Sequence, residues 1–319
     1  MSIRIHCLHL IEMHFINTQN YIILETLTQR IIDYKNGNEP KKVNQTFCDF
    51  DGVLLNISNH ENNRKLIKLS IYLSYFNELK EYGAMEVLKR IYGNFLISQP
   101  IENYSITLLY NIEEIASNYE AIVNEASLIK RNCFAALFEK YFKLQQENIP
   151  TKEQAVIHYR DDETLYVEAR EDRVTVIIAT QFKDPEDVLY GNIFLQQYVE
   201  SRKVNKTSPQ IIFSNGKPPI EMANIKSPLG NNNVFYIAFV LEKRHTNKEV
   251  MGNTIDLIHI FRDNLHYHIK DSRRYVHCRM TKKYNDFIKI LQRAHLEANT
   301  SENRPIHHVQ KKGMVRKQF

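Results

Sequence analysis

The chain has 319 residues, of which 43% are apolar and 25% charged, and carries a net charge of +5. That balance is one of a globular chain rather than a disordered or membrane one, and the longest apolar run, Val234 to Leu241, is far short of the roughly 20 residues that span a bilayer. His6, His9, Glu12 and His14 interrupt any signal-peptide core, and Cys7, Cys48, Cys133 and Cys278 are too scattered for a zinc knuckle or a disulfide framework, so a cytoplasmic protein is expected.

In chain order, a helix is expected from Ile22 to Tyr34, then three strands at 43–49, 53–58 and 65–73, rich in alternating apolar and β-branched residues. Asp51-Gly52 suits a two-residue hairpin loop between the first two. A helix at 76–92, a strand at 103–110 and a long helix at 117–146 complete a first module, and Pro150-Thr151 marks its end. The second half repeats the theme, with strands near 154–160, 163–169 and 172–182, a helix at 186–202, strands near 209–214 and 233–242, and a final helix. Adjacent strands joined by short turns favour antiparallel sheets, so the class is α+β: two tandem α/β modules of similar strand-strand-strand-helix-strand-helix order. The expected layout is an extension at 1–20, poorly ordered, modules at 21–150 and 151–250, a long amphipathic basic helix at 251–297 completing the second module, and a disordered basic tail at 298–319.

The final helix is the most informative segment. From Asn253 to Arg304 there is neither Gly nor Pro, and Ile255, Ile258, Leu265, Ile269, Val276, Met280, Tyr284, Phe287, Leu291 and Ala294 recur at helical spacing. Asn253 or Thr254 is the expected N-cap. About 40 helical residues span about 60 Å, more than one small domain covers, so part of the stripe needs a partner unless the helix breaks near Asp271-Ser272 and folds back. Charge concentrates there too: Lys270 to Phe319 holds thirteen Lys and Arg against four acids, a net of +9 that leaves −4 for the remaining 269 residues. A basic end on a mildly acidic body points to an acidic partner, whether protein, nucleic acid or anionic lipid.

Several motifs invite a catalytic reading. Asp49-Phe50-Asp51-Gly52-Val53-Leu54 resembles the first motif of haloacid dehalogenase-type phosphatases, and Ile211 to Gly216 their second. Against this, the nucleophile should end a continuously apolar parallel strand, whereas Val43 to Cys48 alternates, and the magnesium-binding acids are missing. Arg160-Asp161-Asp162-Glu163 reads as an exposed turn rather than a metal cluster. His266 and His268 lack the i, i+4 spacing of a helical zinc site and read as packing or hydrogen-bonding residues. Neither GxGxxG nor GxxxxGK occurs, so no catalytic residue, metal or cofactor is assigned.

Six segments in one order carry a more specific likeness: Asp49 to Asn59 (DFDGVLLNISN), Leu88 to Gly93 (LKRIYG), Lys130 to Phe142 (KRNCFAALFEKYF), Val156 to Val176 (VIHYRDDETLYVEAREDRVTV), Phe239 to Asn247 (FVLEKRHTN) and Leu257 to Lys270 (LIHIFRDNLHYHIK). They resemble the family of the thirty-four-kilodalton subunit of the actin-related protein 2/3 complex, over roughly residues 21–295. The resemblance implies a non-catalytic scaffold that pairs with the complex's twenty-kilodalton subunit through long C-terminal helices and contacts the side of the mother actin filament. On that expectation Ile269, Val276, Met280, Tyr284, Phe287 and Leu291 are the subunit-interface candidates, and Arg273, Arg274, Arg279, Lys282, Lys283, Lys289 and Arg293 the filament-binding candidates. The competing reading of the same basic end is a nucleic-acid or anionic-membrane binding module, although no known nucleic-acid-binding motif is present.

Overall fold

The computed structural model describes residues 17–61, 63–151, 153–201, 207–219, 222 and 233–296. The first half holds α1 (Tyr21–Lys35), β1 (Asn44–Cys48), β2 (Leu54–His60), β3 (Asn63–Tyr72), α2 (Phe76–Glu81), α3 (Ala84–Tyr92), β4 (Ile106–Asn111), α4 (Ile112–Ile115), α5 (Tyr119–Ser127) and α6 (Ile129–Gln146). The second holds β5 (Ala155–Arg160), β6 (Glu163–Ala169), β7 (Arg173–Gln181), α7 (Pro185–Ser201), β8 (Gln210–Asn215), β9 (Val234–Glu242), α8 (Lys243–Thr246) and α9 (Met251–Leu296). Most of the expected 1–20 extension and the whole 298–319 tail lie outside the described residues. Asn20, assigned to that extension, instead caps α1 by accepting from the Ile23 amide, and donates its own amide to the Ser127 carbonyl.

Every strand pairing is antiparallel, as expected from the short turns. The first sheet runs β1-β2-β3-β4 and the second β5-β6-β7-β9-β8. Thus β4 beside β3 and β9 beside β7 occupy equivalent places, and β8 is an extra edge strand on the second sheet. Both strands expected near 209–214 and 233–242 are present, so the second module has five strands where the strand-strand-strand-helix-strand-helix order names four.

Two helices expected to be continuous are divided. The stretch at 76–92 breaks at Gly83, whose φ of 92° is a left-handed conformation open to glycine. The stretch at 117–146 breaks at Leu128, where carbonyls that would continue α5 are taken by other donors. Tyr92 donates to Glu125 O at 2.9 Å, the Ser127 hydroxyl to Asn124 O at 2.6 Å, and Asn20 N to Ser127 O at 2.9 Å. The expected two-residue loop at Asp51-Gly52 is a longer turn, closed by Asp49 N donating to Val53 O at 2.8 Å. Asp51 and Gly52 are left-handed, with φ of 71° and 67°, as an Asp-Gly pair allows. For α9 the N-terminal capping falls on Asn247 rather than Asn253 or Thr254: its Oδ1 accepts from the Glu249 and Val250 amides and its carbonyl from Met251 N.

Packing divides the chain into a compact unit through Lys270 and a second unit from Asp271. In the first, both sheets and the first turns of α9 share one core. Leu55, Ile57, Leu69 and Leu108 enter it from the first sheet, Leu165, Val176, Ile237 and Phe239 from the second, Phe134, Phe138 and Phe142 from α6, and Ile255, Ile258, Phe261 and Leu265 from α9. Full burial of one such side chain contributes roughly 1.5–3 kcal/mol, so α9 up to Lys270 is bound by its apolar face. The other face of the second sheet holds a smaller cluster with Tyr166, Ile177 and Tyr236. Among the described residues no helix is long and apolar enough to cross a membrane.

Candidate functional site

From Asp271 onward α9 behaves differently from its own beginning. Every described side chain from Arg274 to Arg293 is exposed except the half-buried Ile288. Yet this stretch carries Val276, Met280, Tyr284, Phe287 and Leu291 at 43%, 65%, 63%, 57% and 46% exposure. At 3.6 residues per turn these five fall within about 80° of the helix circumference, a single apolar stripe with no cover inside its own unit. Tyr275 and Ile290 add exposed apolar surface beside it. Ile269, expected on the same interface, is 2% exposed and packs in the chain's own core, so the open stripe starts at Val276.

The seven candidate cations do not share one face. By the same geometry Arg279, Lys282, Lys289 and Arg293 lie within about 80° of one another, next to the apolar stripe. Lys283 sits at the border between them. Arg273 is half-buried and in line with the stripe, and Arg274 lies apart from the cluster, pairing with Asp271 at 3.8 Å. Lys289 pairs with Asp286 at 3.8 Å, an exposed contact of small energetic weight.

The N-terminal half of α9 is anchored by a group of buried charges that the sequence reading did not assemble. Arg262 donates to Asp51 in the β1–β2 turn and to Glu163 at the start of β6, and its guanidinium lies 4.9 Å from the centre of the Tyr159 ring. Lys130 of α6 lies 3.3 Å from Asp263 and 3.5 Å from Asp51. His266 contacts the far oxygen of Glu163, which also accepts from the Thr180 hydroxyl at 2.7 Å. One turn earlier, Arg131 reaches Asp256 at 2.7 Å and the Gly252 carbonyl at 3.1 Å. Burial opposes ionisation of Glu163, but its bonds to His266 and Arg262 outweigh that and hold its carboxyl well below the usual range. Burial likewise opposes Asp51, which Arg262 and Lys130 nevertheless keep lowered.

This corrects one sequence reading and bears on a motif already set aside. Glu163 is not part of an exposed turn; Asp161 and Asp162 make the turn, and Glu163 is 1% exposed. In the Asp49 to Leu54 motif, the Asp51 carboxylate is engaged by Arg262 and Lys130. The preceding strand β1 is a largely exposed edge strand of an antiparallel sheet, unlike the buried parallel strand that phosphatase chemistry uses. Ser214 lies in the other sheet, donating to the Lys217 carbonyl at 2.6 Å. His266 and His268 do face different neighbours, Glu163 and the Phe194 ring.

Comparison with known proteins gives one consistent answer. A family model described as the 34 kD subunit p34-Arc of the Arp2/3 complex matches residues 69–298. The protein of Schizosaccharomyces pombe named actin-related protein 2/3 complex subunit 2 is 33% identical over 311 residues, covering 89% of this chain and 96% of that one. Its namesake in Dictyostelium discoideum is 35% identical over 290 residues, covering 89% and 97%.

Proposed function

Because the chain belongs to the family of the 34 kD subunit, p34-Arc, of the Arp2/3 complex, we propose that it is a non-catalytic scaffold subunit of that complex, working in the cytoplasm on the actin cytoskeleton. The observation that carries this reading is the uncovered stripe of Val276, Met280, Tyr284, Phe287 and Leu291 on α9. An apolar helical stripe of that length requires another surface, and a sister subunit, the twenty-kilodalton one, supplies it. The stripe binds that subunit, while the neighbouring basic face formed by Arg279, Lys282, Lys289 and Arg293 meets the acidic side of the mother filament in branch nucleation. Anchoring by Arg262, Lys130 and Arg131 supports the same division of labour, since it fixes one half of the helix to the body and leaves the other to partners.

The experiment is affinity purification of the full chain from its source cells, followed by identification of the proteins that come with it. Recovery of the two actin-related proteins and a twenty-kilodalton subunit is expected. Recovery without any actin-related protein would overturn the proposal, and salt-sensitive binding to nucleic acid or anionic vesicles in the absence of those subunits would favour the competing module.

A further inference from the structure

Five side chains of the α9 anchor are nearly sealed from water: Asp51, Lys130, Glu163, Arg262 and Asp263 are between 1% and 8% exposed. Three are carboxylates and two are cations, so with every group in its usual ionisation state the sealed cluster holds one negative charge too many. Uncompensated charge in a low-dielectric interior is costly, and a titratable group there takes up or releases a proton instead.

Geometry shows which carboxylate is left over. Arg262 commits its short contacts to Asp51 and Glu163 and reaches Asp263 only at 3.3 Å. Lys130 is divided between Asp51 at 3.5 Å and Asp263 at 3.3 Å. At the other end of the cluster Glu163 has additional help from His266 and from Arg160 at 3.0 Å, the latter shared with Asp162. Among the described residues no such help reaches Asp263. Arg131 on α6 is directed to Asp256, Tyr159 on β5 presents its ring to Arg262, and Asp49 in the β1–β2 turn adds a further negative charge near Lys130. His259, one turn before Asp263, is kept neutral by burial and by Lys130, its pKa lowered to about 3. A cavity of about 210 Å³ lined by Asn20, Asp49, Phe50, Lys130, His259 and Asp263 opens on this end and gives water a route to the carboxyl.

We propose that the anchor of α9 is built one positive charge short and is completed by a proton on Asp263, so that the grip on α9 loosens as the solution becomes more alkaline. Burial first, and then the charge of Asp51, push the Asp263 carboxyl up to about 6 against the pull of Lys130 and Arg262. The sign follows from linkage: above the unfolded value of 3.8 the folded chain binds more protons than the unfolded one, so stability falls as pH rises through that value toward 6. Asp51 and Glu163, both lowered, act in the opposite direction and only at more acid pH. The device belongs to the body of the chain and does not depend on which partner covers the rest of the helix.

The test uses the full chain. Urea unfolding of wild type and Asp263→Asn is measured from about pH 4.5 to about pH 7.5, and the ratio of their folding constants is expected to move in favour of the variant by roughly tenfold or more over that window. A constant ratio, or one that moves toward wild type, overturns the proposal. Should Asp263→Asn fail to fold, the carboxyl carbon-13 resonance of Asp263 in the wild-type chain decides: titration near pH 6 supports the proposal, and titration at or below about pH 4 overturns it. His266→Gln is expected to leave that titration in place. Its disappearance in that variant would put the proton at the Glu163 end and refute the assignment.

Discussion

Asp51 and Arg262, 211 residues apart in sequence, form a buried ion pair that ties the first hairpin of the chain to its last helix. The same guanidinium holds Glu163, so one side chain closes contacts among a turn of the first module, a strand of the second and α9. Removing it in Arg262→Ala leaves three buried carboxylates with Lys130 as their remaining sealed cation, at an expected cost of about 3–5 kcal/mol in urea unfolding. Arg262→Lys is expected to recover little of this, because an ammonium cannot reproduce a planar fork that reaches two carboxylates at once. Recovery of near wild-type stability by lysine would show that charge alone, not geometry, carries the anchor.

Asp49 stands two residues before Asp51 but does different work. Its Oδ1 accepts from the Phe50 amide at 2.7 Å and its Oδ2 from the Asn20 side chain at 3.4 Å. Asn at this position keeps the first acceptor, so Asp49→Asn is expected to leave complex assembly and branch formation unchanged. Loss of branching by a folded, assembled variant would reopen a catalytic reading of the hairpin.

The apolar stripe beyond Asp271 is expected to matter for assembly and not for folding of the body. Phe287 and Leu291 are 57% and 46% exposed in the chain alone, so Phe287→Asp with Leu291→Asp places charge where the chain itself tolerates it. Against a partner helix the same carboxylates would be desolvated at a cost of several kcal/mol. Co-purification with the twenty-kilodalton subunit should be lost while the urea midpoint of the free chain stays within error of wild type. Assembly at normal yield would mean that the stripe has no partner in the complex.

The strands and the long helix were legible because alternation and 3.6-residue periodicity survive in the sequence. The division of α9 was not. Ile255, Ile258, Leu265 and Ile269 recur at helical steps just as Val276, Met280, Phe287 and Leu291 do, and periodicity cannot say whether the cover lies in the same chain. The buried charges were missed because Asp, Glu, Lys and Arg are usually solvated, although two signals were present. Arg262 stands four residues after Ile258 and three before Leu265, hence on the buried face, and Glu163 has the parity of the core residues Leu165 and Val167 in β6. A charge in phase with the core is the pattern that sequence reasoning can use.

The basic face of α9 is expected to act in filament binding more than in assembly. Arg279, Lys282, Lys289 and Arg293 lie beside the apolar stripe rather than on it, so their long side chains reach outward when the stripe is covered. Each exposed ion pair contributes roughly 1 kcal/mol or less, so single substitutions should have small effects. Reversal of three adds the lost attraction to new repulsion, and these contributions accumulate on one surface. The combined variant Arg279→Glu, Lys289→Glu, Arg293→Glu is therefore expected to assemble normally yet cosediment with actin filaments at least about tenfold more weakly, with branch formation falling in parallel. Wild-type cosedimentation should itself weaken as salt rises, since these charges are exposed and screened within about 8 Å at physiological ionic strength. Arg274→Glu, whose side chain lies away from the cluster and already pairs with Asp271, is the matched control and should bind at close to wild-type strength. Full-strength cosedimentation of the intact triple variant would place the filament contact on another surface of the complex and leave this helix to assembly alone.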